Sequence, residues 1–378
     1  MDFDHHGADA LVMVGASERS TDLLYATAFR APDPFVFVWT PAERLVMVSD
    51  LELDRARSQA TVDRVVPSSH YERQLQASGQ ERPGFDALLA ALLQDLSAAR
   101  LLLPADFPFG TSEHLRQAGL QLQVAPAPLF AARQLKDQAE VAQIQHAMGA
   151  AEAGLQVAVD ALRAAAVRAG VLYLNGEALT SERLRRLMHL ALLELDCVAQ
   201  HTIVAGGEQG CDPHQEGSGP LRAGESIIID VFPQGPGGYF GDITRTFVKG
   251  CAPAPLRRLH EAVLAAQKLA LAGMRAGADG RQLHGQVMQA FEQAGYQTAE
   301  KDGHMQGFFH GTGHGVGLEI HEPPRVGLRG DVLQEGHVVT VEPGLYYPGV
   351  GGVRIEDTVL VRADGCLNLA GFPKDLEV

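Results

Sequence analysis

A chain of 378 residues with 46% apolar content is too long for one ordinary hydrophobic core, so two domains are expected. With 46 acidic against 31 basic residues the formal net charge is -15, which repels phosphate backbones and anionic lipid and excludes nucleic acid and membrane surfaces as natural partners. The acidic opening MDFDHHGADA is unlike a secretory signal, no apolar run reaches the length of a membrane span, and four scattered cysteines (Cys197, Cys211, Cys251, Cys366) suit free thiols in a reducing cytoplasm.

Residues 1–128 alternate short apolar runs with helical stretches. Strand-like runs lie at Ala10–Val14, Phe35–Trp39, Leu45–Val48 and Leu101–Leu103, and Phe85–Leu96 reads as a helix. This βα alternation predicts a small α/β domain around a buried sheet. The segment around VAPAPLFAARQLK carries Pro126 and Pro128, which break any helix, so residues 129–137 are expected to be a linker.

Residues 138–378 open on an apolar stripe, Val141, Ile144, Met148, Leu155, Val159 and Leu162, which predicts a long helix. A second helix follows Thr180, and strand-like runs follow at His201–Ala205 and Ser226–Phe232. The order then repeats. A helix with Pro255 near its start is followed by one with Asp279 as N-cap. Strands are expected at Val338–Val341 and, as one element, at Val353–Val361. Two halves of similar pattern, each two helices followed by paired strands, would place a site between them.

Carboxylates interrupt these strands. Asp230 ends a run of three isoleucines, where an unpartnered charge is costly and a metal ion is one of the few full compensations. The Gly/Pro-rich turn PQGPGGYFG then leads to Asp242, and Thr244 shares its face and is placed to hydrogen-bond a ligand. His310, His314 and His321 fall in HGTGHGVGLEIHE, whose glycines argue against helix. Glu342 ends VVTV, and Glu356 lies in VRIEDTVL, with Arg354 and Thr358 on its face. Asp230, Asp242, His314, Glu342 and Glu356 make an oxygen-rich donor set suited to two divalent ions held close together. Competing motifs fail. His321-Glu322 is followed by two prolines rather than a helix, GTGHGVG does not match the dinucleotide fingerprint, and neither a phosphate-binding loop nor a nucleophile elbow occurs.

These residues resemble the pita-bread metallopeptidases, in their prolidase and aminopeptidase P branch. The likeness is carried by Ile229-Asp230, by Gly241 through Phe247, by His310-Gly311 through His321-Glu322, by Thr340 through Gly344, and by Arg354 through Asp357. It covers nearly the whole second domain, and the upstream α/β domain is similar in kind. Methionine aminopeptidases usually lack such a domain, and creatinases lack the ligands.

The resemblance implies hydrolysis of Xaa-Pro bonds in small peptides by a water activated between two divalent ions; the carboxylate-dominated donor set favours manganese, with zinc or cobalt allowed. Asp230 would hold one ion, Asp242 and Glu356 both, and His314 and Glu342 the second, with Glu342 also shuttling a proton. His214 and His321 would stabilise the tetrahedral intermediate. His310 would border the proline pocket, and Arg354 would clamp the substrate carboxylate. A homodimer is also implied. Dipeptide specificity is preferred over release of the N-terminal residue from longer peptides, and a non-catalytic binding protein on the same fold is the remaining alternative. Two departures stand out: the Asp230–Asp242 gap is one residue longer than usual, and His201 replaces an aromatic or small polar residue.

Overall fold

The structure, a computed structural model, describes Asp4 and residues 6–378, and counts and absences below refer to these residues. Residues 1–3 and 5, on which the reading of the N-terminus partly rests, lie outside them. The chain divides into two compact units, Met1–Arg133 and Gln134–Val378, a division that falls within the stretch expected to be a linker.

In the first unit the elements run β1 (Ala10–Gly15), α1 (Thr21–Thr27), β2 (Phe35–Trp39), β3 (Arg44–Val48), α2 (Leu53–Gln59), β4 (Arg64–Pro67), α3 (Ser68–Ala77), α4 (Phe85–Asp95), β5 (Arg100–Leu103), α5 (Phe109–Gln117) and β6 (Gln121–Val124). The six strands form one mixed sheet in the order β4-β3-β2-β1-β5-β6. Alternate residues of the central strands feed two cores: Val12, Val36 and Val38 enter one, and Leu11, Phe35 and Phe37 the other. Such two-sided burial gives continuous apolar runs, which made these strands readable. Two of the elements not foreseen are short and polar. In α2 only Ala56 is buried, and the edge strand β6 has no buried residue.

The second unit begins with α6 (Gln138–Ala164), whose N-terminus is closed by a reciprocal Asp137–Glu140 capping box. Small strands β7 (Ala166–Arg168), β8 (Val171–Leu174) and β9 (Glu177–Ala178) lead to α7 (Ser181–Leu193), capped by Thr180. Then β10 (Ile203–Gly206), β11 (Ile227–Val231) and β12 (Ile243–Phe247) form an antiparallel sheet. The second half repeats this plan. Helices α8 (Ala254–Gly273) and α9 (Gly280–Gln293), the latter capped by Asp279, are followed by the hairpin β13 (Ala299–Lys301) and β14 (His304–Gln306). Next come β15 (Gly313–Gly315), β16 (Glu322–Val326), β17 (Val338–Val341), β18 (Gly344–Tyr347), β19 (Gly351–Arg354), β20 (Asp357–Arg362) and β21 (Gly365–Asn368). The main sheet of this half runs β16-β15-β17-β20-β21, while β18 and β19 pair separately.

Each helix pair buries its stripe on its own sheet. Met148, Leu155, Leu184 and Met188 pack with Ile227, Ile229 and Ile243, and Leu259, Val263 and Val287 pack with Val339, Val341 and Val359. Strand alternation then decides where the carboxylates go. Ile227, Ile229 and Val231 point to the helices, while Ile228 packs with Ile203 and Tyr346 on the opposite face, which Asp230 therefore shares.

Two expectations about strands are corrected. The stretch Val353–Val361 is not one strand. It breaks at Ile355-Glu356 because the Glu356 N–H leaves its neighbours to donate to Thr244 O of the other half at 3.0 Å. The five candidate ligands are also not all within strands. Asp230 and His314 are, whereas Asp242 precedes β12, Glu342 follows β17, and Glu356 fills the gap between β19 and β20. Strand ends release side chains from the strict alternation of a sheet, so residues from several strands converge on one point.

Candidate metal centre

Asp242, His314 and Glu356 each offer a ligand atom, and these atoms lie within 4.8 Å of one another. Glu342 joins through His314, whose Nε2 is 3.4 Å from Glu342 Oε1 and 3.8 Å from Asp242 Oδ2. Asp230 stands at the margin of this group. Its Oδ2 accepts from Arg354 Nη2 at 2.7 Å, and its Oδ1 is buried without a hydrogen-bond partner among the described residues.

Tight backbone packing sets these positions. A Cβ on Gly313, just before His314, would lie 1.9 Å from Thr340 O, and one on Gly241, just before Asp242, 2.6 Å from Met148 N. Only glycine permits such approach, so His314 and Asp242 each follow a position that no other residue can fill. Hydroxyls complete the frame. Thr244 Oγ1 donates to Glu356 Oε2 at 2.7 Å, as its face on β12 suggested. Thr340 Oγ1 accepts from His314 N at 3.1 Å and lies 3.4 Å from Glu342 Oε1, tying those two residues together. Tyr346 was not singled out from sequence, and Thr340 was named only as the start of the stretch through Gly344, with no role.

Without a cation the cluster is electrostatically unfavourable. Burial, then repulsion from Glu356, Asp230 and Glu342, raises Asp242 well above the usual carboxylate range. Burial, then Glu342 and Asp230, does the same to Glu356. Burial lifts Glu342 to about 7. His314 is pushed down to about 3 by burial and by His321, whose ring centroid is 4.4 Å away. Four crowded carboxylates, one unprotonated imidazole and an orphaned carboxylate oxygen fit divalent cations, which would supply the missing positive charge.

The cluster floors a cavity of about 1340 Å³ whose lining includes His214, His310, His321 and Arg354. His321 and His214 are exposed to it, and burial lowers the His321 imidazole. His310 is held rigidly: its Nδ1 bonds Gly311 O at 2.8 Å and its Nε2 bonds Tyr346 Oη at 2.9 Å. Since Nδ1 must donate to a carbonyl, Nε2 accepts from the Tyr346 hydroxyl, which in turn accepts from Arg354 Nη1 at 3.0 Å. Burial keeps the His310 imidazole neutral, at about 3, and lifts the Tyr346 phenol to about 12.

Arg354 does not stand free as a carboxylate clamp. Its side chain is 3% exposed, and Nε, Nη1 and Nη2 donate to Thr244, Tyr346 and Asp230 respectively. The expectation overlooked that a guanidinium on the same face as four acids is drawn to the nearest of them. Arg325 in β16, which also lines the cavity, is exposed, and its guanidinium makes no ion pair or hydrogen bond among the described residues. His201 lies at the cavity wall with Nδ1 2.7 Å from Glu216 Oε1.

The model of metallopeptidase family M24 matches residues 142–363, more than half of the chain. The chain belongs to metallopeptidase family M24. This membership implies a divalent-metal cofactor, in keeping with the donor cluster. Over 177 residues the chain is 38% identical to the Xaa-Pro dipeptidase of Pyrococcus furiosus, a match covering 46% of this chain and 48% of that one. The chain thus spans about half the length of that relative. A longer match, 33% over 280 residues, covers 70% of this chain and 69% of YkvY of Bacillus subtilis, provisionally named a dipeptidase. Among solved structures, the Xaa-Pro dipeptidase from Bacillus anthracis aligns with a TM-score of 0.83 at 24% identity, covering 100% of this chain and 97% of that one. The X-Pro aminopeptidase from Thermotoga maritima aligns with a TM-score of 0.82 at 24% identity, covering 98% of each. The M24 chain therefore has an α/β unit followed by the α+β pita-bread fold, and both kinds of enzyme share that architecture.

Proposed function

We propose that this M24 member is a Xaa-Pro dipeptidase in which Asp230, Asp242, His314, Glu342 and Glu356 hold two divalent ions. Asp230 would bind one ion, His314 and Glu342 the other, and Asp242 and Glu356 both. The observation that carries this reading is the buried cluster of Asp242, His314 and Glu356 with the unpartnered Asp230 Oδ1 beside it. The ions would polarise the scissile carbonyl and acidify a water. The chain's own groups supply the rest. Glu342, which would hold the second ion at the cavity floor, is also placed to pass a proton. His321 and His214 present imidazoles to the cavity where an oxyanion would develop. His310, locked by Tyr346, forms a rigid wall for a proline ring.

Proline at the second position is supported by the names of relatives, which include Xaa-Pro dipeptidases of Pyrococcus furiosus and Lactobacillus delbrueckii. For recognition of the C-terminal carboxylate we substitute Arg325 for Arg354, because Arg325 lines the cavity with its donors unused. Aminopeptidase P activity is the second reading, favoured by a cavity with room for more than a dipeptide. Manganese belongs to the proposal because four of the five donors are carboxylates. A homodimer rests on the family resemblance. A cytoplasmic setting is supported by four free cysteines. No helix among the described residues is long and apolar enough to cross a membrane. We also take residues 1–128 as an accessory domain and 138–378 as the catalytic domain.

Ala-Pro, Gly-Pro, Met-Ala and a Xaa-Pro tripeptide, each assayed with manganese and with chelator, test this reading. Chelator-sensitive cleavage confined to the two dipeptides ending in proline is the expected result. Cleavage of Met-Ala, or undiminished turnover in chelator, would overturn it.

A further inference from the structure

Arg245 lies on β12, on the face of Ile243 and Phe247, away from the cavity. Its side chain is 1% exposed, yet all of its donors are used. Nε donates to Pro373 O at 2.9 Å, Nη1 to Thr244 O at 2.9 Å and to Glu356 O, and Nη2 to Asp357 Oδ1 at 2.9 Å and to Phe372 O at 2.7 Å. Asp357, fully buried, is further bound by Asn368 Nδ2 at 2.8 Å and by Lys374 Nζ.

The place of this guanidinium matters more than its bond count. Asp242 and Glu356 come from different halves, and no continuous backbone ladder joins β12 to residues 354–358. The backbone atoms of the seam are joined by Glu356 N to Thr244 O at 3.0 Å, Thr246 Oγ1 to Arg354 O at 2.9 Å, Arg354 N to Thr246 Oγ1 at 3.0 Å and Thr358 Oγ1 to Asp242 O at 2.7 Å. Threonine hydroxyls thus stand in for a ladder. Nη1 of Arg245 grips the carbonyls of Thr244 and Glu356 together, one from each half. A slip of one residue would turn Glu356 out of the cavity. A buried ion pair is seldom the most stable filling of a core, since apolar residues of similar volume do as well or better, and it is better explained by specifying one arrangement.

We propose that Arg245, anchored by Asp357, is a positioning residue that fixes Glu356 against Asp242 and so sets the spacing of the two-ion site. It touches neither substrate nor ion. The inference rests on the two-ion reading, and its test separates the two. Metal-free wild type, Arg245→Lys, Asp357→Asn and Asn368→Ala are titrated with manganese(II) chloride in a calorimeter, with circular dichroism and Tm recorded for each. Wild type that fails to take up two ions would overturn the two-ion reading itself. Given two ions in wild type, folded Arg245→Lys is expected to bind both about 10–100-fold more weakly, because Asp242 and Glu356 would each hold both ions. Asn368→Ala, which removes an Asp357 contact remote from the seam, is expected to lower Tm without changing either affinity. Two wild-type affinities in folded Arg245→Lys would overturn the proposal, as would a loss of both that Asn368→Ala reproduces. Should Arg245→Lys not fold, Asp357→Asn is read by the same criteria.

Discussion

Arg354 donates from Nη2 to Oδ2 of Asp230 at 2.7 Å, while the other oxygen of that carboxylate, Oδ1, is buried and unpartnered. One half of the carboxylate is thus neutralised by a fixed cation, and the other half is left for the divalent ion proposed above. The same guanidinium bonds Thr244, which bonds Glu356, and Tyr346, which bonds His310. Arg354 therefore joins the carboxylate cluster to the wall of the cavity rather than reaching outward to substrate.

That relationship divides the two arginines by substrate length. Removing a charge-assisted hydrogen bond costs about 1.5–3 kcal/mol, so Arg325→Ala is expected to lower kcat/KM for Ala-Pro by roughly 10–100-fold while sparing a Xaa-Pro tripeptide. Arg354→Ala should impair both alike and lower metal content. Steady-state kinetics on the two substrates decide the matter, and equal losses in Arg325→Ala would reject its assignment.

His321 presents its imidazole to the cavity beside His314 without belonging to the close donor group. The His321→Ala variant should lose roughly 10²–10³-fold in kcat, the usual cost of one oxyanion donor, with bound metal unchanged. Metal analysis after gel filtration would expose the alternative, since loss of an ion would make His321 a ligand.

The metal-free protein should lose stability as pH rises from about 6.5 to just above 7, the last part of a loss that begins at the unfolded carboxyl value. A carboxyl whose folded pKa is raised stabilises the fold when protonated, and that contribution disappears as pH passes the folded value. Glu342 goes from 4.5 to about 7, and Asp242 and Glu356 move the same way. The lowered histidines His310 and His314, shifted from 6.5 to about 3, act oppositely but only below about 6.5, so they do not contribute in this window. Calorimetry in chelator should therefore show Tm falling by a few degrees, and saturating manganese should abolish the fall. A Tm that rises across this range without metal would contradict the electrostatic picture.

Thr244→Val keeps the shape of β12 while removing the hydroxyl that holds Glu356 Oε2 and accepts from Arg354 Nε. Groups behind a ligand typically contribute about 10–100-fold to metal affinity or activity. A loss of about that size is expected in manganese affinity, measured by calorimetric titration. Unchanged affinity would show that the Thr244 hydroxyl is only structural.

The local chemistry of this chain was readable wherever one residue sufficed to announce it. Asp279 and Thr180 are helix caps with their side chains on the backbone amides, and Asp230 is the acid after three isoleucines. Capping and strand alternation are short-range effects, so the sequence alone determined the helix pairs, the two similar halves and the identity of the candidate ligands. The break between Arg354 and Asp357 could not be read this way, because it is caused by Thr244, more than a hundred positions earlier. The same holds for the capture of Arg354 by Asp230 and for the enclosure of Arg245 by Asp357 and Phe372. Only the tertiary structure decided which arginine is committed and which is free. Burial, mutual repulsion and hydrogen-bond competition depend on neighbours in space, and no spacing along the chain encodes them.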